Sequence, residues 1–326
     1  MLVYTLKRIL LSVPTLIGIT IVTFLIINLA PGDPAKFQSQ EIMDPRVSIR
    51  VYEKLREYYG LDKPVMQRYV DWMGRLVKLD FGESMSTDRR PVLDKIKERL
   101  WPTISLAILS ITLSMLLSIP IGIYAAARQD RFFDTLSSTI LYALYSVPSY
   151  VMAVPLILLV GVQWNLLPFQ GMVSDNHDQM TAWGQFLDTA KHYVLITFCF
   201  SFGAWAYYSR FVRQNMLEVL RQDYIRTARS KGVSEFQVIV RHGFRNTLIP
   251  VVTMLGLILP GIIGGSVILE VMFNWPGMGR LFFESMLSRD YPTIMALEFI
   301  SACLVLLGTL LADLGYALVD PRVRYE

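Results

Sequence analysis

The feature that most constrains this chain is a set of long apolar runs with few or no charged residues. Residues 9–30 contain no Asp, Glu, Lys or Arg. At about 1.5 Å per residue this run would form a helix about 33 Å long, enough to cross a hydrocarbon core of about 30 Å. A soluble domain would instead space its apolar residues with a helical or strand period. The chain is therefore predicted to be an integral membrane protein.

The runs predict an all-α fold with six membrane helices in a single domain over residues 1–326. The helices are expected at residues 9–30, 101–127, 135–162, 193–209, 246–271 and 291–319. The hydrophobic content of 53% and the mean hydropathy of +0.41 agree with this class. The first run is longer than the 7–15 apolar residues of a typical signal peptide, so we expect it to remain as a helix.

The distribution of Lys and Arg predicts the orientation. Short loops with many basic residues stay in the cytoplasm. The segment 210–245 is rich in arginine, whereas the short loops that would lie outside carry few basic residues. Both termini and residues 210–245 are therefore predicted to be cytoplasmic, and residues 31–100 form an extracytoplasmic loop. Because the basic residues follow topology and the net charge is only +4, we expect no nucleic-acid binding.

The extracytoplasmic loop is predicted to carry a helical cap. Residues 48–59 have helical composition, and Gly60 supplies a stop. Residues 64–78 read as a second, amphipathic helix. Its apolar face is expected to contain Val65, Tyr69, Trp72, Met73 and Leu76. The alternative is a solvated loop that lies on the membrane surface.

A polar segment, residues 221–250, separates the fourth and fifth runs. It holds one helix-compatible run, a break at Gly232 and a second run over residues 234–242. Such a segment is suited to docking another protein, with Gly232 reversing the chain through a positive φ. Val233, Phe236 and Ile239 have helical spacing and are expected to face that partner. The alternative is a surface helix that its arginines attract to anionic lipid headgroups.

Short motifs follow one another in a characteristic order along the chain. They are Leu29–Pro34, Gly60–Pro64, Asp80–Ser84, Asp223–Gly232, Arg241-His242, Arg245-Asn246, Gly264-Gly265, Glu270, Pro276–Arg280, Arg289–Pro292 and Asp320–Arg324. In this order and spacing the chain resembles, over nearly its whole length, permease subunits of ATP-binding-cassette importers. The resemblance is to the dipeptide, oligopeptide and nickel branch, and within it to the first, B-type permease of the pair.

The resemblance implies half of a translocation pathway, coupled to ATPases through residues 210–245. The expected coupling residues are Arg226, Thr227, Ala228, Arg229, Gly232, Val233, Glu235, Phe236 and Ile239. The family's general Glu-Ala-Ala motif is matched only by Ala228 and Gly232, and the departures resemble the peptide branch's own version. Implied partners are a second permease, two ATPases, an extracytoplasmic binding protein and membrane lipid, in a bacterial or archaeal cell membrane.

The chain is not expected to be an enzyme or to bind a cofactor. It contains no Gly-x-x-x-x-Gly-Lys-Ser/Thr phosphate loop, so ATP and Mg²⁺ are expected on the partner ATPases. Peptides are the expected cargo, and nickel or short oligosaccharides are the alternatives within the family. Cys199 and Cys303 both fall in apolar runs and imply no disulfide or zinc site. The scattered histidines predict no metal site, and His177 and His192 are expected to be solvated loop residues.

Prolines and glycines in the third and fifth runs are candidate pathway or gating residues. They are Pro148, Pro260, Gly261, Gly264 and Gly265, together with Glu270. Prolines kink helices, and small residues let helices approach closely. Glu270, Glu298 and Asp313 could instead serve as proton relays in an ion-coupled carrier, because acids in membranes are costly. The simpler interpretation is that they are structural, at helix ends or paired inside the bundle.

Overall fold

The computed structural model describes residues 2–29, 35–36, 45–258 and 265–319. Within these ranges the chain is helical, and the only extended pairing is an isolated antiparallel bridge between Glu83 and Pro91. Three described helices are long and apolar enough to cross a membrane: Leu6–Leu29, Val92–Ala127 and Tyr291–Leu310. A bent pair of helices passes the same test together. The all-α prediction is confirmed for the described part of the chain.

Helix α1, Leu2–Leu29, is followed by two shorter helices, α2 (Pro45–Tyr58) and α3 (Val65–Leu76). The predicted helices at residues 48–59 and 64–78 are present. Gly60, which was expected to stop the first of them, follows α2 with a φ of +61°. Trp72 and Leu76 are buried against α1, where Phe24 stacks on the Trp72 ring at 5.9 Å. Val65 was expected on this apolar face but is exposed.

Helix α4, Val92–Ala127, and helix α7, Ala182–Leu220, are the two longest elements and pack along each other. With 36 and 39 residues they are about 54 and 58 Å long. Both therefore extend well beyond the predicted spans at residues 101–127 and 193–209. Thr181 caps the start of α7, because its hydroxyl accepts a hydrogen bond from the Gly184 amide at 3.3 Å.

The third apolar run does not form one straight helix. It is divided into α5, Phe132–Tyr145, and α6, Ser149–Leu156, which continues as a π-helix over Ile157–Gln163. The two halves meet at 90°. Pro148 precedes α6 in an extended conformation and has no amide hydrogen to donate to α5, which explains the break. The predicted continuous span 135–162 is corrected to this bent pair.

The carboxyl-terminal third contains the elements after α7. They are α8 (Asp223–Ser230), α9 (Glu235–Gln237), a π-helix (Val238–Phe244), α10 (Arg245–Ile258), α11 (Val267–Met272), α12 (Met278–Leu287) and α13 (Tyr291–Val319). Helix α13 packs against α1 and α10. Of the predicted span 246–271, residues 259–264, with Pro260, Gly261 and Gly264, lie outside the described residues.

The contact between α4 and α7 depends on small residues. A Cβ added to Gly122 would lie 2.6 Å from the Ser209 carbonyl oxygen and 2.9 Å from Val212 Cβ. Ser118 and Ser114 donate hydrogen bonds to the Trp205 and Ser201 carbonyl oxygens at 3.2 and 3.3 Å. The backbones therefore approach closely, as is typical of small-residue contacts between membrane helices.

We predict that Gly122→Ala destabilises the protein by about 1–3 kcal/mol, because the added methyl group must push against a backbone atom. The matched control is Gly203→Ala on α7, where an added Cβ meets nothing within 4 Å. Gly203→Ala should leave stability unchanged or raise it slightly, since alanine favours helices. Thermal denaturation in detergent measures both variants. Equal melting temperatures for the two would show that the α4–α7 contact tolerates expansion.

Candidate functional site

The arginine-rich segment folds into a reversal between two helices. Helix α8 ends at Ser230, and Gly232 follows with a φ of +74°. The Gly232 amide donates to the Arg229 carbonyl at 3.0 Å, and the Val233 amide donates to the Ala228 carbonyl at 3.3 Å. These bonds satisfy carbonyl groups at the helix end and need a left-handed residue. The predicted positive φ at Gly232 is confirmed.

Helix α8 is fixed to its own chain by a small apolar cluster. Ile225, Ala228 and Val238 are buried, and Leu220 and Val233 pack around them. Arg226 and Thr227 lie on the opposite, exposed side of α8. The cluster ties the end of α7 to the start of the following helix, so the exposed face of α8 has a defined position.

An ion pair spans the reversal. Arg229 Nη2 donates to Glu235 Oε1 at 2.6 Å, and Arg229 Nε donates to Glu235 Oε2 at 3.2 Å. The hydrogen bonds from Arg229 lower the pKa of Glu235 below its usual value. Both side chains are partly exposed, so the pair contributes mainly a preferred geometry. It holds α9 beside α8 across Gly232.

The helix after Gly232 is not a separate short element. Glu235–Gln237 passes into the π-helix and then directly into α10. Three apolar residues were expected to face a partner, but they differ in exposure. Val233 and Ile239 are half-buried against their own chain, whereas Phe236 is 74% exposed. Only Phe236 of the three offers a large open apolar side chain.

Glu270, one of the candidate pathway residues, anchors a turn. It lies fully buried in α11, and its Oε2 accepts a hydrogen bond from the Arg280 amide at 2.9 Å. A Cβ added to Gly265 or Gly277 would overlap its carboxylate oxygens. The glycines therefore leave room for the carboxylate, so Gly265 has a local packing role beside Glu270.

The turn that Glu270 supports is docked on α4. Trp275 Nε1 donates to the Pro102 carbonyl at 3.1 Å, and the Met278 amide donates to Thr103 Oγ1 at 2.8 Å. Trp275 is fully buried and its ring meets Tyr193 of α7 edge-to-face at 4.6 Å. The motif Pro276–Arg280 is thus a buried connection among α4, α7 and α12.

A second buried carboxylate, Asp290, joins distant parts of the chain. It accepts hydrogen bonds from Ser84 Oγ at 2.5 Å, from the Met85 amide at 2.8 Å and from Thr293 Oγ1 at 2.6 Å. Lys95 Nζ of α4 lies 3.8 Å from the same carboxylate. We call this set the Asp290 junction. It connects the segment before α4 to the start of α13.

Sequence reasoning found the motifs Asp80–Ser84 and Arg289–Pro292 but did not predict that they meet. The local signal was present, because an Asp directly before an apolar run with Pro near its start, as at Asp290, is a helix-start residue. The contact with Ser84 joins residues 206 positions apart and could not be read from local spacing.

The prediction of solvated loop histidines is wrong for His192. It is buried in α7, with Nδ1 2.8 Å from the Asp188 carbonyl oxygen. His177 Nδ1 lies 2.8 Å from Asp188 Oδ2 and is only partly exposed. Burial acts to raise the pKa of Asp188, but hydrogen bonds from Ser174 and His177 prevail and lower that pKa to about 2. The group stabilises the loop that precedes α7.

Two family descriptions together cover nearly the whole chain. Residues 1–107 match the amino-terminal component of binding-protein-dependent transport system membrane proteins. Residues 118–325 match the binding-protein-dependent transport system inner membrane component. The chain belongs to this family. It is a multi-pass permease component of the inner membrane, and the sequence resemblance to importer permeases is confirmed.

Two named relatives are similar over their full lengths. The oligopeptide transport system permease protein AppB of Bacillus subtilis (strain 168) is 41% identical over 99% of both chains. The glutathione transport system permease protein GsiC of Escherichia coli (strain K12) is 37% identical over 100% of both chains. The family components are transport subunits and not catalysts themselves.

We predict that Asp290→Ala loosens the Asp290 junction of this permease. The change leaves Ser84, Thr293 and the Met85 amide without their acceptor, which costs about 2–4 kcal/mol for a buried charged group. Hydrogen exchange of residues 83–90 should increase. Asp94→Ala is the control, because Asp94 is an exposed carboxylate of α4 outside the junction, with Lys97 at 4.0 Å as its ion-pair partner. Unchanged exchange in Asp290→Ala would show that the segment is held by its apolar contacts alone.

Proposed function

We propose that this permease forms one half of the translocation pathway of an ATP-driven importer for short peptides. The names of AppB and GsiC, an oligopeptide and a glutathione permease, support peptide cargo over nickel or oligosaccharides. A second permease, two ATPases and an extracytoplasmic binding protein complete the transporter. ATP and Mg²⁺ belong to the ATPases, and this chain binds no cofactor.

The observation that carries the coupling role is the shape of residues 221–250. Phe236 is exposed after Gly232, Arg226 and Thr227 are exposed on α8, and the interior residues Ile225 and Val238 of the same segment are fully buried. An exposed aromatic side chain on a fixed support is a typical anchor for a partner's pocket. The basic residues of the same segment suit an acidic rim on the partner.

The contacts of Glu270 Oε2 favour the structural interpretation over the ion-coupled one, while the buried Oε1 accepts no hydrogen bond within the described residues. Its carboxylate is enclosed by glycines and accepts a backbone amide hydrogen bond, which is a structural use. Glu298 is half-buried on α13, and the side chain of Asp313 lies outside the described side chains. We therefore assign Glu270 to the architecture of the α11–α12 turn.

We further propose six membrane spans with both termini cytoplasmic. The spans are α1, α4, the bent pair α5–α6, the central part of α7, α10 with α11, and α13. In this arrangement α2, α3 and the Asp290 junction form the extracytoplasmic cap, and residues 210–245 form the cytoplasmic coupling loop. The surplus of Arg and Lys in that loop supports the orientation.

Gly232→Val is predicted to uncouple the transporter. Valine at a φ of +74° costs about 1–3 kcal/mol and should misplace α9, although an added Cβ meets nothing within 4 Å. Gly232→Asn is the matched control, since asparagine tolerates the left-handed conformation. ATPase co-purification, ATP hydrolysis and peptide uptake in proteoliposomes report the effect. Full uptake by Gly232→Val would contradict the need for this reversal.

Phe236→Ala tests the docking contact separately from folding. Because the Phe236 side chain is mostly exposed, removing its ring should leave thermal stability unchanged. The same change should weaken ATPase binding about tenfold or more. Val238→Ala should do the reverse and lower stability, because Val238 is fully buried. If Phe236→Ala retains its ATPases and its uptake, the segment has only a membrane-surface role.

The proposed orientation is tested with Thr87→Cys and Ser234→Cys, both at exposed positions. An impermeant thiol reagent should label Thr87→Cys in spheroplasts, and Ser234→Cys only after permeabilisation. The unsubstituted chain gives the background from Cys199, which is buried, and Cys303. Labelling of Ser234→Cys in sealed spheroplasts would overturn the orientation.

A further inference from the structure

A polar cavity lies between α4, α5 and α7, and two of its residues, Arg210 and Arg213, are at the start of the predicted coupling loop. Its volume is about 320 Å³, and its walls include Asp134, Ser137, Ser138, Tyr142, Arg210 and Arg213. Two arginines and several hydroxyl groups in one concave site are the donors that recognise a phosphate group. None of these residues was among the predicted site residues.

The charges in the cavity do not cancel. Arg213 binds Asp134 through two hydrogen bonds, from Nε to Oδ1 at 2.7 Å and from Nη2 to Oδ2 at 2.6 Å. The Asp130 amide also donates to Asp134, at 2.9 Å. The Asp134 carboxylate is thus already engaged by Arg213 and by a backbone amide.

Arg210 supplies the remaining positive charge. Its Nη1 donates to the Tyr142 hydroxyl at 2.5 Å, and its guanidinium carbon lies 5.9 Å from the centre of the Tyr142 ring. In the described part of the chain no carboxylate forms an ion pair with it. The ring and hydroxyl of Tyr142 hold the guanidinium at the cavity edge, where its other donors are open to an anion.

Exposed aromatic side chains continue from the cavity on the same faces of its helices. Tyr145 of α5 is 62% exposed and lies one turn after Leu141 and Tyr142 of the wall, and Tyr207 of α7 is 58% exposed and lies one turn before Arg210. In the proposed topology both tyrosines lie on the membrane side of the cavity. An amphipathic ligand could place its charged group in the cavity and an acyl chain against these two rings.

We infer that this cavity binds the phosphate headgroup of an anionic phospholipid from the cytoplasmic leaflet. The inference rests on the proposed topology, in which Arg210 directly follows the span of α7 at the cytoplasmic surface. Basic pockets between membrane helices at that surface suit anionic headgroups. A phosphate accepts from the Arg210 guanidinium and the Ser138 hydroxyl, while the chains cover Tyr145 and Tyr207.

The test is native mass spectrometry of the assembled transporter with phosphatidylglycerol or phosphatidylcholine. The wild-type protein should retain phosphatidylglycerol preferentially, and Arg210→Gln should bind it about tenfold more weakly, as expected for one lost charge-assisted contact. Arg128→Gln is the matched control. Arg128 is also exposed and lies 5.9 Å from the ring centre of Tyr124, but it does not line the cavity.

Ser138→Leu provides a second variant that fills the cavity and keeps both arginines. It should also lose the bound phosphatidylglycerol, and it carries the test if Arg210→Gln does not fold. Equal losses in Arg210→Gln and Arg128→Gln would indicate general surface charge and overturn the site. Unchanged lipid binding in Arg210→Gln and Ser138→Leu would do the same.

Two further measurements separate other occupants of the cavity. Displacement of the lipid by inorganic phosphate at millimolar concentration would assign the site to the free anion, against our inference. Displacement by a transported peptide would assign it to the cargo pathway, also against it. Peptide uptake is measured in parallel in vesicles of either lipid, so that a failure of the lipid site is distinguished from a failure of transport itself.

Discussion

The close approach of α4 and α7 is the constraint on which the other contacts depend. Between membrane helices there is little hydrophobic driving force, so shape and hydrogen bonding decide the packing. At Gly122 the partner backbone occupies the space of a side chain, and Ser114 and Ser118 donate to carbonyl groups across the contact. Each end of this helix pair then positions a different structure. Thr103 near one end holds the turn before α12, and Leu220 at the other end packs into the cluster beneath α8.

The two fully buried acids of the described chain, Glu270 and Asp290, both stabilise turns. A carboxylate accepts several hydrogen bonds at once, so it can fix backbone amides that no helix supplies with partners. Glu270 does this for the Arg280 amide, and Asp290 for the Met85 amide. Buried acids in membrane proteins are good candidates for proton relays. Here their surroundings, glycines in one case and hydroxyl groups in the other, are suited to holding two loops against the helix bundle.

Sequence alone predicted the helices with long apolar runs and the reversal at Gly232, because both follow from local chemistry. An apolar run must be helical in a bilayer, and a glycine between two helix-compatible runs marks a change of direction. It did not predict the 90° angle at Pro148, since proline marks a break without fixing its size. It also missed the burial of His192, the inward packing of Ile239 and the meeting of Ser84 with Asp290. These contacts depend on which helix faces meet after folding. The periodicity of a single helix does not specify the face that it will meet.

The path from the proposed ATPase contact into the membrane has one stiff and one adaptable branch. Helix α7 is continuous over 39 residues and is tied to α8 through Leu220 and Ile225, so a displacement of α8 must move α7 as a body. The other branch runs from Phe236 through the π-helix Val238–Phe244 into α10. A π-helix has weaker, wider turns than an α-helix and often marks a functional site. Under the proposed function, a displacement of Phe236 by an ATPase would reach α10 through Val238 and this π-helix, whose winding can change. Such a change would let α10 rotate relative to α7, and this rotation is the movement that we propose opens and closes a pathway between the helices.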